Sequence, residues 1–87
     1  MTQFKNIKWQ QHRIGAGIQG ELKLKNGWEI SLVAGEFFYS TPKDNRESES
    51  DYTSFEVAII NPNGNIDGDI LGWQSREDIE KLIKKLN

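Results

Sequence analysis

Apolar residues recur along this chain in two rhythms, every second position over most of its length and every third or fourth position at the C-terminus. The second rhythm is carried by Ile79, Leu82, Ile83 and Leu86, the spacing of an amphipathic helix. Ser75 can N-cap it, and Asp78 three positions on makes a Ser-x-x-Asp capping box. Acids (Glu77, Asp78, Glu80) fill the first turns and lysines (Lys81, Lys84, Lys85) the last, as the helix macrodipole favours. A helix is therefore predicted over 75–86, with one apolar stripe that must lie on a sheet face.

The two-residue rhythm surrounds Asn26-Gly27, a strong hairpin signal. A two-residue loop would place Leu22 and Leu24 on the face of Glu29 and Ser31 and waste the alternation. A three-residue loop, Lys25-Asn26-Gly27, pairs Leu24 with Trp28, Leu22 with Ile30 and Ile18 with Ala34. All apolar side chains then share one face, so a type I turn with Gly27 left-handed in a G1 bulge is predicted. The strand from Trp28 runs through Val33, and Gly35 marks a bend where the phase shifts.

Tyr52 to Ile60 reads as a further strand, with Phe55, Val57 and Ile59 alternating against Glu56 and Ala58. Asn61-Pro62-Asn63-Gly64 is a turn, since Pro62 presets φ and Gly64 takes the positive φ. Residues 65–73 are a short return strand or an extended approach to the helix. Residues 40–51 form a long polar connection, read as a mobile or functional loop. Ile7 and Trp9 allow an edge strand within the N-terminal segment 1–17, the part least determined by pattern. The fold class is α+β, a three- to four-stranded antiparallel sheet spanning 18–73 packed on one C-terminal helix, all in a single domain of residues 1–87. Its core is expected to hold Leu22, Leu24, Trp28, Ile30, Leu32, Phe55, Val57, Ile59, Ile79, Leu82, Ile83 and Leu86.

Composition narrows the function classes. With 87 residues one domain is expected. The absence of cysteine removes disulfides, thiolate catalysis and thiolate metal sites, and fits a cytoplasmic setting. One histidine, His12, cannot build a His-based metal cluster. No apolar run approaches the roughly 18 residues of a membrane span, and the N-terminus lacks the apolar stretch of a signal peptide. The net charge of −2 hides a segregation: residues 1–25 carry +4, residues 26–80 carry −9 and residues 81–87 carry +3. A sequence pI of about 5.3 argues against direct nucleic-acid binding. Five acids meet only Arg46 within 44–56, a patch suited either to solvent or to a basic partner surface.

Two motif-like stretches carry little chemistry. Gly15-Ala16-Gly17-Ile18-Gln19-Gly20 matches G-x-G-x-x-G, but strand and hairpin follow where a dinucleotide site needs a helix. The glycines then serve sharp bending, with Gly20 opposite Leu32. Asn63-x-Asn65-x-Asp67-Gly68-Asp69 has calcium-loop spacing, but Asn63 and Gln74 stand where the first and last carboxylates belong. No metal, cofactor or catalytic residue is expected. His12 has no carboxylate or nucleophile partner evident in sequence.

The aromatic residues are more informative. Trp28 belongs to the core by register, and Trp73, just before the helix cap, is expected to staple the start of the helix. Phe37, Phe38 and Tyr39 are consecutive, so alternation leaves at least one ring off the core face. Rings beside a charged rim are what protein interfaces use. The candidate partner-binding residues are therefore Phe37, Phe38 and Tyr39 with the acids Asp44, Glu47, Glu49 and Asp51.

The stretch LKNGWEISLVAGEFFYS, followed by SFEVAIINPNGNIDGDILGWQSREDIEKLIKKL, resembles a recurrent type of small phage-encoded protein. The shared pattern is an NGW strand, a glycine break, an FEVAI strand, a polar turn, then GW and a helix opening Ser-x-Glu-Asp-Ile, over residues 24–86. The resemblance implies a non-enzymatic phage or mobile-element protein, anti-CRISPR-like, that binds and inhibits a host defence protein in the host cytoplasm. It transfers no site residue. Two alternatives stay open: a small-ligand or nucleotide-binding module using 15–20, and a structural homo-oligomer, such as a homodimer, paired through the sheet edge or spare rings.

Overall fold

The computed structural model describes residues 3–12 and 17–86. Five strands, β1 (Lys8–Gln11), β2 (Ile18–Lys23), β3 (Glu29–Ala34), β4 (Phe55–Ile60) and β5 (Leu71–Gln74), precede one helix, α1 (Arg76–Leu86). The strands form a single antiparallel sheet in sequence order. The class is α+β as expected, with one strand more than the upper expectation.

The hairpin between β2 and β3 has the register that the alternation requires. Leu22 faces Ile30, Gly20 faces Leu32 and Ile18 faces Ala34. The Leu24 amide donates to the Trp28 carbonyl at 2.8 Å, the Gly27 amide donates to Leu24 at 3.2 Å, and Gly27 has φ +90°. Only glycine takes that backbone at no steric cost.

The added strand is β1, paired to β2 with Trp9 opposite Gly20. Gly20 is what admits it. A Cβ there would come within 2.7 Å of Ile7 and 2.8 Å of Trp9, so the missing side chain leaves the space in which the Trp9 ring lies. Trp9 then joins Phe4 and Phe55 in a ring cluster with centroids 5.3–6.0 Å apart.

The helix covers one sheet face. Ile79 and Ile83 are fully buried in one cluster with Leu22, Leu24, Ile30, Leu32, Phe55 and Val57, and burial of this kind stabilises by about 1.5–3 kcal/mol per large aliphatic side chain. The predicted capping box is present: the Asp78 amide donates to Ser75 Oγ and the Ser75 amide to Asp78 Oδ2, both at 3.1 Å. Two further bonds hold the helix down. The Phe4 amide donates to Glu80 Oε1 at 2.6 Å, and the Asn26 side-chain amide donates to the Leu86 carbonyl.

Four expected core residues are only half-buried: Trp28, Ile59, Leu82 and Leu86. The eleven-residue helix presents Ile79 and Ile83 inward and leaves Leu82 and Leu86 on its flanks. Ile7, Ile18, Ala34 and Tyr52 complete the interior instead. β4 begins at Phe55 rather than Tyr52, because Glu49–Asp51 forms a 3-10 turn capped by Ser48 and Tyr52 leaves that turn pointing into the core.

Candidate functional site

Side chains alternate across a strand, so the neighbours of buried Leu32 and Val57 point away from the helix. That second face holds two unlike halves. Toward β1 and β2 it is polar, with Lys8 opposite Glu21 and Lys23 opposite Glu29 as cross-strand charge pairs. Toward β4 it turns apolar, with Val33, Ala58 and Ile60 half-buried. Ile66 bridges Ile60 and so extends that apolar half.

β5 carries the site's least regular backbone. Val57 pairs with Leu71 but Phe55 pairs with Gln74, so β5 has one residue more than β4 over this span. The extra residue is a β-bulge. Trp73 absorbs it with φ +51°, a left-handed conformation that is an outlier for a bulky non-glycine residue. Its amide donates to the Tyr39 carbonyl at 2.9 Å, and its ring lies 4.9 Å from the Tyr39 ring, tilted by 37°. Tyr39 itself sits over Gly72, where a Cβ would meet its Cβ at 2.9 Å. Its amide donates to Glu56 Oε1 at 3.2 Å, which fixes it to the face opposite the helix.

This corrects the expected role of Trp73. It does not staple the helix; it is 57% exposed, beside Tyr39 at 50%. The start of the helix is held by Arg76 instead. Its guanidinium stacks on Phe4 and Phe55, 5.4 Å from each ring, and donates to the carbonyls of Tyr52 and Glu49.

The other candidate residues divide. Phe37 is 70% exposed in the turn that follows Gly35, and joins Tyr39 as an outward ring. Phe38 is half-buried, its ring 5.1 Å from His12. Asp44 accepts two bonds from Arg46, at 2.6 and 3.1 Å, and this pairing holds its carboxyl below the usual range. Glu47 and Asp51 are exposed and Glu49 is half-buried. Glu49 and Asp51 lie in the 3-10 turn beside Arg76, near the start of the helix, whereas Tyr39 lies on the far face. The rings and these two acids therefore do not form one surface.

The 40–51 connection is fastened at several points. The fully buried Tyr52 donates its hydroxyl to the Asp44 carbonyl and accepts from the Arg46 amide, each at 2.7 Å. Burial pushes its phenol upward in pKa. Ser40, also buried, donates to the carbonyls of Gly35 and Pro42.

The motif-like stretches have structural uses. A Cβ at Gly17, φ +88°, would meet the Ala34 carbonyl oxygen at 1.9 Å, so this glycine allows two backbones to touch. Gly15, with Arg13, Ile14 and Ala16, lies outside the described residues. In the 61–65 turn, Asn61 Oδ1 accepts from the amides of Asn63 and Asn65. Among the described residues no cluster of three His, Asp or Glu side chains is placed to hold a metal, and no helix is long and apolar enough to cross a membrane.

Comparison with protein-family models, with curated proteins and with solved structures finds no match. The site stands on its geometry alone: two outward rings locked to each other and to the backbone, a third at Phe37, and exposed Ile66 and Ile70 on the same hairpin. Trp73, Ile66 and Ile70 were not among the residues expected from sequence. The glycine before Trp73 was the available signal, because a glycine inside a strand often marks a bulge.

Proposed function

We propose that this chain is a non-enzymatic phage or mobile-element protein that binds and blocks a host defence protein, and that it docks through the Tyr39–Trp73 end of its open sheet face. The observation that carries the docking assignment is the exposed ring pair. Large rings left at 50% and 57% exposure forgo burial that the small core could use, and Trp73 holds a strained backbone conformation to stand there. Preordered aromatics lose little entropy on association and dominate binding energy at interfaces. The inhibitory role rests on the resemblance of residues 24–86 to small phage-encoded proteins.

The acids of 44–51 have a secondary part in this reading. Asp44 is already paired with Arg46, and Glu49 and Asp51 lie beside Arg76 on the helix side, so of these acids Glu47 is left as the solvated charge that helps steer a basic partner.

The test combines capture with function. The tagged chain is expressed in its host during phage challenge, and the co-purifying protein is identified by mass spectrometry. The reading expects a defence protein, a gain in phage survival, and loss of both in Tyr39→Ala. Undiminished survival and capture in Tyr39→Ala would remove the docking assignment. Capture of a metabolic enzyme, with no change in survival, would remove the inhibitory role.

A further inference from the structure

The chemistry around the ring pair is specific as to what it can take. Lys43 Nζ lies 5.9 Å from the centre of the Tyr39 ring, within reach of a cation–π contact. The same ammonium donates to the Glu36 carbonyl at 3.0 Å, and among the described residues no carboxylate lies within salt-bridge distance of it. Elsewhere in the chain the Arg76 guanidinium stacks on two rings, 5.4 Å from each, so ring faces accept cations in this fold on both sides of the sheet.

The charge pattern points the same way. Residues 47–75 contain six acids and no lysine or arginine. Three of these acids, Glu56, Asp67 and Asp69, belong to the β4–β5 hairpin that also presents Ile66, Ile70 and Trp73. Glu56 touches the Tyr39 amide directly. A lysine or arginine brought in by a partner would find a ring face, a nearby carboxylate and apolar surface for its methylene stem.

We infer that the Tyr39–Trp73 site recognises a basic protein surface by taking one of its arginine or lysine side chains into the position that Lys43 holds in the free chain. This inference rests on the docking assignment above and names the chemistry of the partner. Lys43 is then an internal competitor. The partner's cation displaces it, and Lys43 swings to solvent with its charge intact.

The experiment is an NMR titration of the full chain with a hexa-arginine peptide, followed at the Trp73 indole N–H, with hexa-glutamate as control. A saturable shift with hexa-arginine alone is expected. Removing the competitor in Lys43→Ala should tighten binding about two- to fivefold, and Tyr39→Ala should weaken it by a similar factor, the size of one exposed cation–π contact. Glu56→Gln should weaken it and flatten its salt dependence. Glu77→Gln, on the first turn of the helix, should change nothing. The inference is overturned by an absent or unsaturable shift, by equal binding of hexa-glutamate, or by weaker binding in Lys43→Ala. It is separable from the docking assignment: a defence protein captured through Tyr39 but presenting an acidic or wholly apolar contact surface would refute the cation and leave the docking intact.

Discussion

Trp73 offers a test in which the ring itself cancels. Its φ of +51° should make the usual order of alanine and glycine reverse at this position. In an ordinary strand, glycine is less stable than alanine by about 0.5–1 kcal/mol, because it loses more backbone freedom on folding. In the left-handed region a Cβ costs about 1–2 kcal/mol. Trp73→Ala and Trp73→Gly both delete the indole, its contact with Tyr39 and its share of burial, so the difference between them isolates the backbone. The balance favours glycine by about 1 kcal/mol. For a domain this small the urea slope is near 1 kcal/mol per molar, so the midpoint of Trp73→Gly should lie about 0.5–1 M above that of Trp73→Ala, with equal slopes. Equilibrium unfolding followed by circular dichroism measures it. If the alanine variant is as stable as the glycine variant, or more so, Trp73 is not held left-handed, and the bulge that aims its ring outward loses its support.

Other substitutions test the remaining contacts. Gly17→Ala drives a Cβ to within 1.9 Å of the Ala34 carbonyl at φ +88° and should lose at least about 2 kcal/mol in thermal unfolding. Tyr52→Phe removes both bonds that tie 44–46 to the core. It should cost about 1–3 kcal/mol, and hydrogen exchange at the Arg46 amide should accelerate more than exchange in β3. Acid stability follows from Asp44, lowered by its bonds to Arg46, and Asp78, lowered by its bonds to Ser75. Because their folded-state values lie below the unfolded value of about 3.9, their contribution is complete above that pH and is lost as pH falls through the folded values. Asp44→Asn combined with Asp78→Asn should therefore be less stable at neutral pH and show a shallower decline in urea midpoint below about pH 4.

The elements that pattern alone located are those whose periodicity runs unbroken. The β2–β3 hairpin was legible because Leu22, Leu24, Ile30 and Leu32 can share a face in only one register once Asn26-Gly27 closes the turn. The helix was legible because Ser75, Asp78 and the Ile79–Leu86 stripe all point to the same boundaries. β5 was legible only as one of two options for 65–73, a short return strand, because its bulge breaks the alternation at Trp73, and the helix-staple role expected for that ring overlooked the bulge. β1 depended on Gly20, whose missing side chain makes room for Trp9, a contact that sequence spacing does not display. The candidate site was half legible. Three consecutive rings had to leave one outside, and Phe37 and Tyr39 are outside; the ring completing the pair comes from a strand 34 positions later. The acids looked contiguous with the rings in sequence, but the 40–51 connection carries Glu49 and Asp51 to the helix side.

In the proposed docking, the open sheet face near Tyr39, rather than the helix side, meets the partner. Site-specific photo-crosslinking in host cells tests it most directly, with a photoreactive residue at position 37 in one variant and at position 81 in another. The prediction is a single heavier adduct from position 37, abolished by Tyr39→Ala, and none from position 81. An adduct from position 81 alone, or one from position 37 that persists in Tyr39→Ala, would contradict it.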